Sequence, residues 1–392
     1  MLEAIRHRVE ASSLKKVCIV VSSVMTVNAF LVDQIQALSR IYRVYVVANL
    51  GDSNSLAWVG ENITIVSLAI ERKTFPRRDL MALVSLFRLF RRHRFDIVHS
   101  VPPKAGLLAM VAASCAGIRA RIHTFTGQVW TTRSGLDRWF LKSMDWLIAS
   151  LATNVLVDSA SQRNFLIAEK VVKDRNSRVL AKGSISGVDT RRFCPNPCVR
   201  KEIRGRLGIP DYAVVFLFLG RLNRDKGVID LAEAFRHLCD SREDAHCMVV
   251  GPDEAGMRGQ MQQLCRAHRD KLHFVDYSSA PEHYMAAADV FCLPSYREGF
   301  GTVIIEAASV GIPAIASRIY GITDAVEDGV TGLLHDAGDV ESMVKFMKQF
   351  TEDVALREKI GGNARNRVQR DFSMEKVTSA VVDYYNQFMH SP

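Results

Sequence analysis

The chain has 392 residues, 48% of them hydrophobic and 24% charged. That balance excludes disorder and fibre, and the length suits two domains of roughly 150–200 residues better than one core. The net charge of +9 comes from one half: residues 1–190 carry 26 Lys and Arg against 14 Asp and Glu, while residues 191–392 carry 25 against 28.

A basic half of this kind suits a polyanion (anionic lipid, a lipid diphosphate or nucleic acid) or simply a soluble basic exterior. The first residues, MLEAIRHRVEASSLKKVCIVV, mix acids with bases and lack a small-residue cleavage site after an apolar stretch. No secretory leader is expected there. No run reaches the ~18 apolar residues of a membrane-spanning helix. Strand-like runs rich in Val and Ile recur at 16–21, 43–48, 63–68, 96–100, 120–125 and 154–159. They recur again at 213–220, 247–251, 272–276, 289–295 and 312–317, with helical patterns between them. Short apolar strands alternating with helices predict parallel sheets covered on both faces. The expected fold class is therefore α/β, two doubly wound parallel-sheet domains. Their join lies near 188–212, where Pro195, Pro197, Gly205, Gly208 and Pro210 cluster.

Within the first half, residues 76–94 combine a broad apolar face with arginines at 77, 78, 88, 91, 92 and 94. Residues 128–146 interleave Trp130, Trp139, Phe140 and Trp146 with Arg133, Arg138 and Lys142. Aromatics among bases suit the headgroup level of an anionic leaflet. A crossover helix packed on the sheet is the other reading of 76–94. The eight cysteines form no CxxC pair and read as reduced, buried small hydrophobes. Cys194 and Cys198 would be metal ligands only with partners that the sequence does not supply. Residues 374–389 read as a last helix.

Two loops of the second half carry the chemistry. Strand 213–219 runs into Gly220-Arg221-Leu222-Asn223-Arg224-Asp225-Lys226-Gly227, and a helix starts near 228. Ligands of open α/β sheets bind beyond the carboxyl ends of the strands. Arg221 and Lys226 leave such an end together, a fork and a point charge suited to a diphosphate. Strand 289–295 leads into Tyr296-Arg297-Glu298-Gly299-Phe300-Gly301-Thr302, and a helix over 302–310 aims its first amides at the loop. That is an anion site. Glu298 precedes the loop and Glu306 lies inside the helix. A carboxylate accepts hydrogen bonds from two vicinal hydroxyls at once. Glu306, amid Val303, Ile304, Ile305, Ala307 and Ala308, would be costly to bury without a partner. One carboxylate for each sugar, with cations and amides for the phosphates, points to a nucleoside-diphosphate sugar.

GRLNRDKG and EGFGTVIIEA, with VGPDE (250–254), ADVFCLPS and GIPAIAS, resemble the retaining glycosyltransferases of family four. DIVHSVPPKAGLL (96–108), HTFTGQVW (123–130) and GVDTRRF (187–193) resemble the bacterial capsule, O-antigen and lipopolysaccharide branch of that family. The resemblance implies the GT-B fold, two Rossmann-like domains facing a central cleft. Residues 1–190 would then bind the acceptor, 191–372 the donor, and 373–392 would form a helix crossing back to the first domain. It further implies that Arg221 and Lys226 bind and polarise the donor diphosphate, that Glu298 holds hydroxyls of the transferred sugar, and that Glu306 holds the ribose. Arg221, Lys226 and Glu298 are thus the catalytic candidates. Gly220, Gly251, Pro252, Gly299, Phe300, Gly301 and Thr302 complete the implied donor site. Many relatives carry a histidine in a T-x-H-G stretch where this chain has Thr126 before Gly127. His123, Thr126 and Gly127 join His99 and Lys104 as acceptor-side candidates.

The expected activity is retaining transfer of a sugar, an N-acetylhexosamine or a related one, from a UDP-sugar. The expected acceptor is a polyprenyl-diphosphate-linked saccharide of a surface polysaccharide, and retention is what the resemblance implies. No cofactor is expected, and no metal, because no Asp-x-Asp occurs to hold one. The expected place is the cytoplasm, peripherally on the inner face of the cell membrane. A GT-B nucleotide-sugar epimerase, or a sugar-transfer enzyme with a soluble acceptor, is the alternative. Nucleic-acid binding rests on charge alone without a recognised motif, and is not expected. A dinucleotide dehydrogenase would need G-x-G-x-x-G after a strand, which is absent.

Overall fold

The computed structural model describes residues 14–50, 60–71 and 75–389. The N-terminal stretch read above for a leader therefore lies, up to residue 13, outside the described residues. The chain divides into two compact units, 1–186 together with 375–392, and 187–374.

The first unit is built on seven strands, β1 (Lys16–Val20), β2 (Arg43–Ala48), β3 (Ile63–Ser67), β4 (Ile97–Ser100), β5 (Ala120–Phe125), β6 (Asn154–Val157) and β7 (Ser177–Arg178). They are all parallel, in the order β3-β2-β1-β4-β5-β6-β7. The second unit holds six: β8 (Val214–Leu219), β9 (Ala245–Val250), β10 (Leu272–Val275), β11 (Val290–Leu293), β12 (Ala314–Ser317) and β13 (Gly332–His335). These run parallel in the order β10-β9-β8-β11-β12-β13. Helices cover both faces, which is why the central strands are apolar along their whole length: every residue of β9 and of β11 is buried. The eleven predicted strands are all present. β7 and β13 went unpredicted, since two residues of SR and four of GLLH leave no readable alternation.

In both sheets the order reverses beside the first strand, between β1 and β4 and between β8 and β11. Such a switch point leaves a crevice at the strands' carboxyl ends. In the second unit a buried charge cluster fixes β11 against β8. Asp289 accepts hydrogen bonds from Val215 N at 2.7 Å, from Arg200 at 2.7 Å and from Arg204 at 2.6 Å. Arg204 is fully buried and spends its remaining donors on the carbonyls of Ala213, Asp211, Pro210 and Ala287. A buried guanidinium is tolerable only when it is satisfied this completely.

The last helix, Met374–Met389, belongs to the first unit apart from its first residue. Val381, Tyr384, Tyr385 and Met389 join the core made by β1, β2 and the helix Val32–Ser39. All eight cysteines are free. Cys18, Cys239, Cys247, Cys265 and Cys292 are buried as expected, whereas Cys115 and Cys198 lie at helix ends and are exposed. Among the described residues no group of three or more His, Cys, Asp or Glu is placed to hold a metal, so Cys194 and Cys198 have no metal-binding partner. No helix among the described residues is long and apolar enough to cross a membrane.

Candidate active site

β8 ends at Leu219, and after Gly220 the chain makes one tight turn, Arg224–Lys226, before the helix Val228–Cys239. β11 ends two residues before Ser295, and the loop that follows feeds the helix Thr302–Val310. Gly227 closes the first turn at φ +65°, and a Cβ there would lie 1.9 Å from the carbonyl oxygen of Pro294. Only glycine lets the two loops come this close. Gly251 plays the same part toward the β8 exit, since its Cβ would stand 2.0 Å from the carbonyl oxygen of Gly220. Leu222 N donates to Pro252 O at 2.9 Å, so Pro252 lies alongside the Arg221 loop.

The loops are tied to each other by charge. Lys226 Nζ is ion-paired with Glu298 Oε1, which also accepts from Ser295 Oγ at 3.0 Å. Tyr296 N donates to Asp225 O at 2.8 Å, and the Arg297 guanidinium reaches the Asp225 carboxylate at 3.0 Å. Arg221 stands apart from this pair and meets Glu254 at 3.1 Å. Both of those side chains are largely exposed, so their pairing is weak and easily exchanged.

Gly301 caps the helix Thr302–Val310 at φ +78° with no side-chain cap on its first amides. Those amides at the positive helix end are available to an anion. Phe300 is buried and packs edge-on against Phe372 at 5.3 Å, which anchors the loop between Gly299 and Gly301. Glu306 lies one turn in. It keeps a partly exposed surface, yet burial of its carboxyl pushes its pKa up to about 7; Arg192 pulls that value down and Glu282 pushes it up. It accepts no hydrogen bond within the described residues, which leaves both oxygens for hydroxyls of a ligand.

In the first unit the acceptor-side candidates scatter. His123 is fully buried: Nδ1 shares a hydrogen bond with Ser100 Oγ at 2.9 Å, and Cε1 lies 2.4 Å from where a Cβ on Gly106 would be. Burial and the neighbouring His99 push its pKa down to about 3. The ring is closed off from solvent, and its Nε2 has no hydrogen-bond partner among the described residues. His99 is buried too, bridging Tyr385 OH at 2.5 Å and Thr124 Oγ1 at 2.7 Å, with its pKa pushed down to about 4. Lys104 pairs with Asp79 at 2.8 Å. Thr126 is half-buried beside buried Gly127, so Thr126 and Lys104 are the candidates of this group with surface to present.

Trp130, read above with the interfacial aromatics, is also buried. Its Nε1 donates to Asp145 at 2.8 Å, and Arg138 and Lys142 cover its ring at 5.1 and 5.6 Å while pairing with Glu169. Three contributors were missed from the sequence: Asp225 and Arg297, which join the loops, and Arg192, which faces Glu306. All three stand inside motifs quoted above, but nothing in the spacing separates a tie between loops from a solvated charge.

Residues 199–367 match the family model described as "Glycosyl transferases group 1", and residues 25–183 match the "Glycosyl transferase 4-like domain". The chain is 28% identical over 312 residues to the capsular polysaccharide biosynthesis glycosyltransferase CapM of Staphylococcus aureus, covering 79% of this chain and 82% of the relative. It is 27% identical over 316 residues to the Escherichia coli UDP-Gal:alpha-D-GlcNAc-diphosphoundecaprenol alpha-1,3-galactosyltransferase, covering 79% of each. Among solved structures, Anabaena HepE in complex with UDP and glucose superposes with a TM-score of 0.79 at 19% identity, over 95% of this chain and 99% of that one. Sucrose-phosphate synthase of Thermosynechococcus elongatus gives a TM-score of 0.81 at 21% identity, over 96% and 99%. At these identities the structural likeness establishes a shared GT-B fold.

Proposed function

We propose, on the premise that this chain belongs to family 4 of the glycosyltransferases and has its GT-B fold, that it transfers a sugar from a UDP-sugar to a polyprenyl-diphosphate-linked saccharide. The product would be a surface polysaccharide, and the sugar an N-acetylhexosamine or a close relative of one. The observation that carries this reading is the Lys226–Glu298 ion pair beside the open amide end of Thr302–Val310, at the sheet's switch point. The acceptor class draws on the name of the Escherichia coli relative.

Departure of the nucleoside diphosphate places negative charge on its outer phosphate. Lys226, Arg221 and the amides of Phe300, Gly301 and Thr302 meet that charge as it develops, the lysine and the amides from places that the loop ties and the helix end set. Arg221 exchanges its exposed pairing with Glu254 for the diphosphate at little cost. Glu298, held by Lys226 and Ser295, keeps one oxygen for hydroxyls of the transferred sugar. Glu306 takes the ribose. The acceptor hydroxyl attacks from the face the leaving group vacates and gives its proton to the departing phosphate oxygen, which retains the anomeric configuration. Fixed cations and amides do the work of a metal clamp, and no metal is proposed.

Purified protein given a panel of nucleotide sugars and a GlcNAc-diphosphate-polyprenyl acceptor is expected to extend that acceptor by one sugar, with equal rates before and after EDTA. Nucleotide release without an extended acceptor, or loss of activity on chelation, would overturn this reading or its metal-free step.

The lipid acceptor brings in a membrane surface, which we place at two helices of the first unit. Pro76–His93 and Gly135–Leu151 both pack against the helix Pro103–Cys115. The first exposes Leu80 and Met81 among its arginines, and the second exposes Leu136, Trp139, Phe140 and Trp146. Apolar tips ringed by arginine suit an anionic cytoplasmic leaflet. The protein is expected to float with anionic vesicles and not with neutral ones. Trp139→Glu with Phe140→Glu is expected to weaken that binding by about tenfold or more; unchanged flotation would remove the surface from the account.

A further inference from the structure

Glu306 is half-buried and accepts no hydrogen bond among the described residues, and the segment 187–193 carries the cation, Arg192, whose charge acts on it. That segment is held rigidly. Val188 N donates to Phe372 O and Met374 N to Val188 O, both at 2.9 Å. Asp189 Oδ1 accepts from Arg191 N at 3.0 Å and from Arg192 N at 3.3 Å, which shapes a turn around the side chain. Phe193 is buried, and its carbonyl accepts from Ser309 Oγ at 2.6 Å. Ser309 is three residues beyond Glu306 on the helix Thr302–Val310, on the same face. The backbone next to Arg192 is therefore bolted to the helix that carries Glu306. Arg192 itself spends Nη2 on Glu282 Oε2 at 2.8 Å and on Ser279 O at 2.9 Å, and its guanidinium lies 5.1 Å from the Phe193 ring.

We infer that Arg192 is a positioning residue for the nucleoside end of the donor, occupying Glu282 and favouring the charged form of Glu306 that the ribose diol meets. The inference rests on the donor reading given above. The physical need is plain. An ionised carboxylate accepts from two hydroxyls at roughly twice the strength of a neutral acceptor. Burial works against that ionisation, and Glu282 repels the same charge. Arg192, on the connecting segment, and Glu282, on the helix Pro281–Ala287, are the charged groups that face Glu306 among the described residues. Without the arginine both influences push one way, toward the protonated acid.

The test is calorimetric binding of UDP-N-acetylglucosamine between about pH 6 and pH 8.5, a range in which its diphosphate does not titrate. Wild-type affinity is expected to rise with pH as the carboxylate forms. Arg192→Gln is expected to move that rise to higher pH, with affinity about three- to tenfold weaker at pH 7 and a smaller deficit at pH 8.5. Arg192→Lys, which keeps the charge, is expected to restore most of the loss, and Glu306→Gln is expected to flatten the profile. An Arg192→Gln profile parallel to wild type, or one equal to it, would overturn the inference while leaving the donor reading intact. Failure of the wild-type protein to bind this probe would instead remove the donor reading, and this inference with it.

Discussion

Lys226→Ala is expected to lower the turnover number for sugar transfer by about 10²–10³-fold, the cost typical of removing one fixed group that meets charge in the transition state. The ammonium has two duties here. It sits where the diphosphate charge develops, and in the free protein it neutralises Glu298, whose carboxylate is mostly covered. Alanine removes both at once and leaves Glu298 with Ser295 Oγ as its remaining hydrogen-bond donor among the described contacts. The loss is therefore expected in kcat and in donor affinity together. Adding Glu298→Gln to Lys226→Ala is expected to cost much less than the sum of the two single losses, because the residues act as a unit. Steady-state kinetics on the identified donor decide it. Full turnover in the Lys226→Ala protein would end the role assigned to this lysine.

Gly227→Ala is expected to cut kcat/KM by about 100-fold, the effect of displacing a reacting group by roughly an ångström. A methyl at this position would sit 1.9 Å from the Pro294 carbonyl oxygen. No rotamer relieves that overlap, since Cβ is fixed to the backbone. The turn must back away from the β11 exit and strain the Tyr296–Asp225 and Arg297–Asp225 ties. Together with the positive φ, the overlap is expected to cost about 3 kcal/mol and lower the melting temperature by roughly 6–12 °C. Gly208→Ala separates the two causes. Its φ of +67° is nearly the same, but a Cβ there meets nothing within 4 Å. That variant is expected to show the smaller conformational penalty of about 1 kcal/mol with activity unchanged. Equal activity losses at both positions would mean that close loop packing is not what positions the site.

These expectations depend on features that differ greatly in how plainly the sequence displays them. β8, β11 and the helix Thr302–Val310 were readable because buried parallel strands are apolar without interruption and the glycines at 299 and 301 mark the break between strand and helix. That Lys226 and Glu298 serve one donor was implied by the family resemblance, while their ion pair came from the fold alone, since 72 residues separate the two. Arg192 was legible only as part of a quoted motif, because its partners Glu282 and Glu306 come from distant helices. His123 and Trp130 both lie deeper than their residue types suggest. A polar ring in a strand, or an indole among arginines, reads as functional by residue type, yet Asp145 satisfies the Trp130 indole inside the core, and Ser100 pairs with Nδ1 of a fully buried His123 whose Nε2 has no hydrogen-bond partner among the described residues. Burial of that kind is a tertiary property, and local pattern does not encode it.

The central claim is that cations from the β8 turn and acids on either side of the next loop gather around a single activated sugar. A structure of the protein with bound UDP tests it most directly. The diphosphate should lie within about 3 Å of Lys226 Nζ and the Arg221 guanidinium, with the ribose hydroxyls on Glu306. A nucleotide seated elsewhere, with those side chains still turned to Glu298 and Glu254 and Glu306 left untouched, would contradict the account.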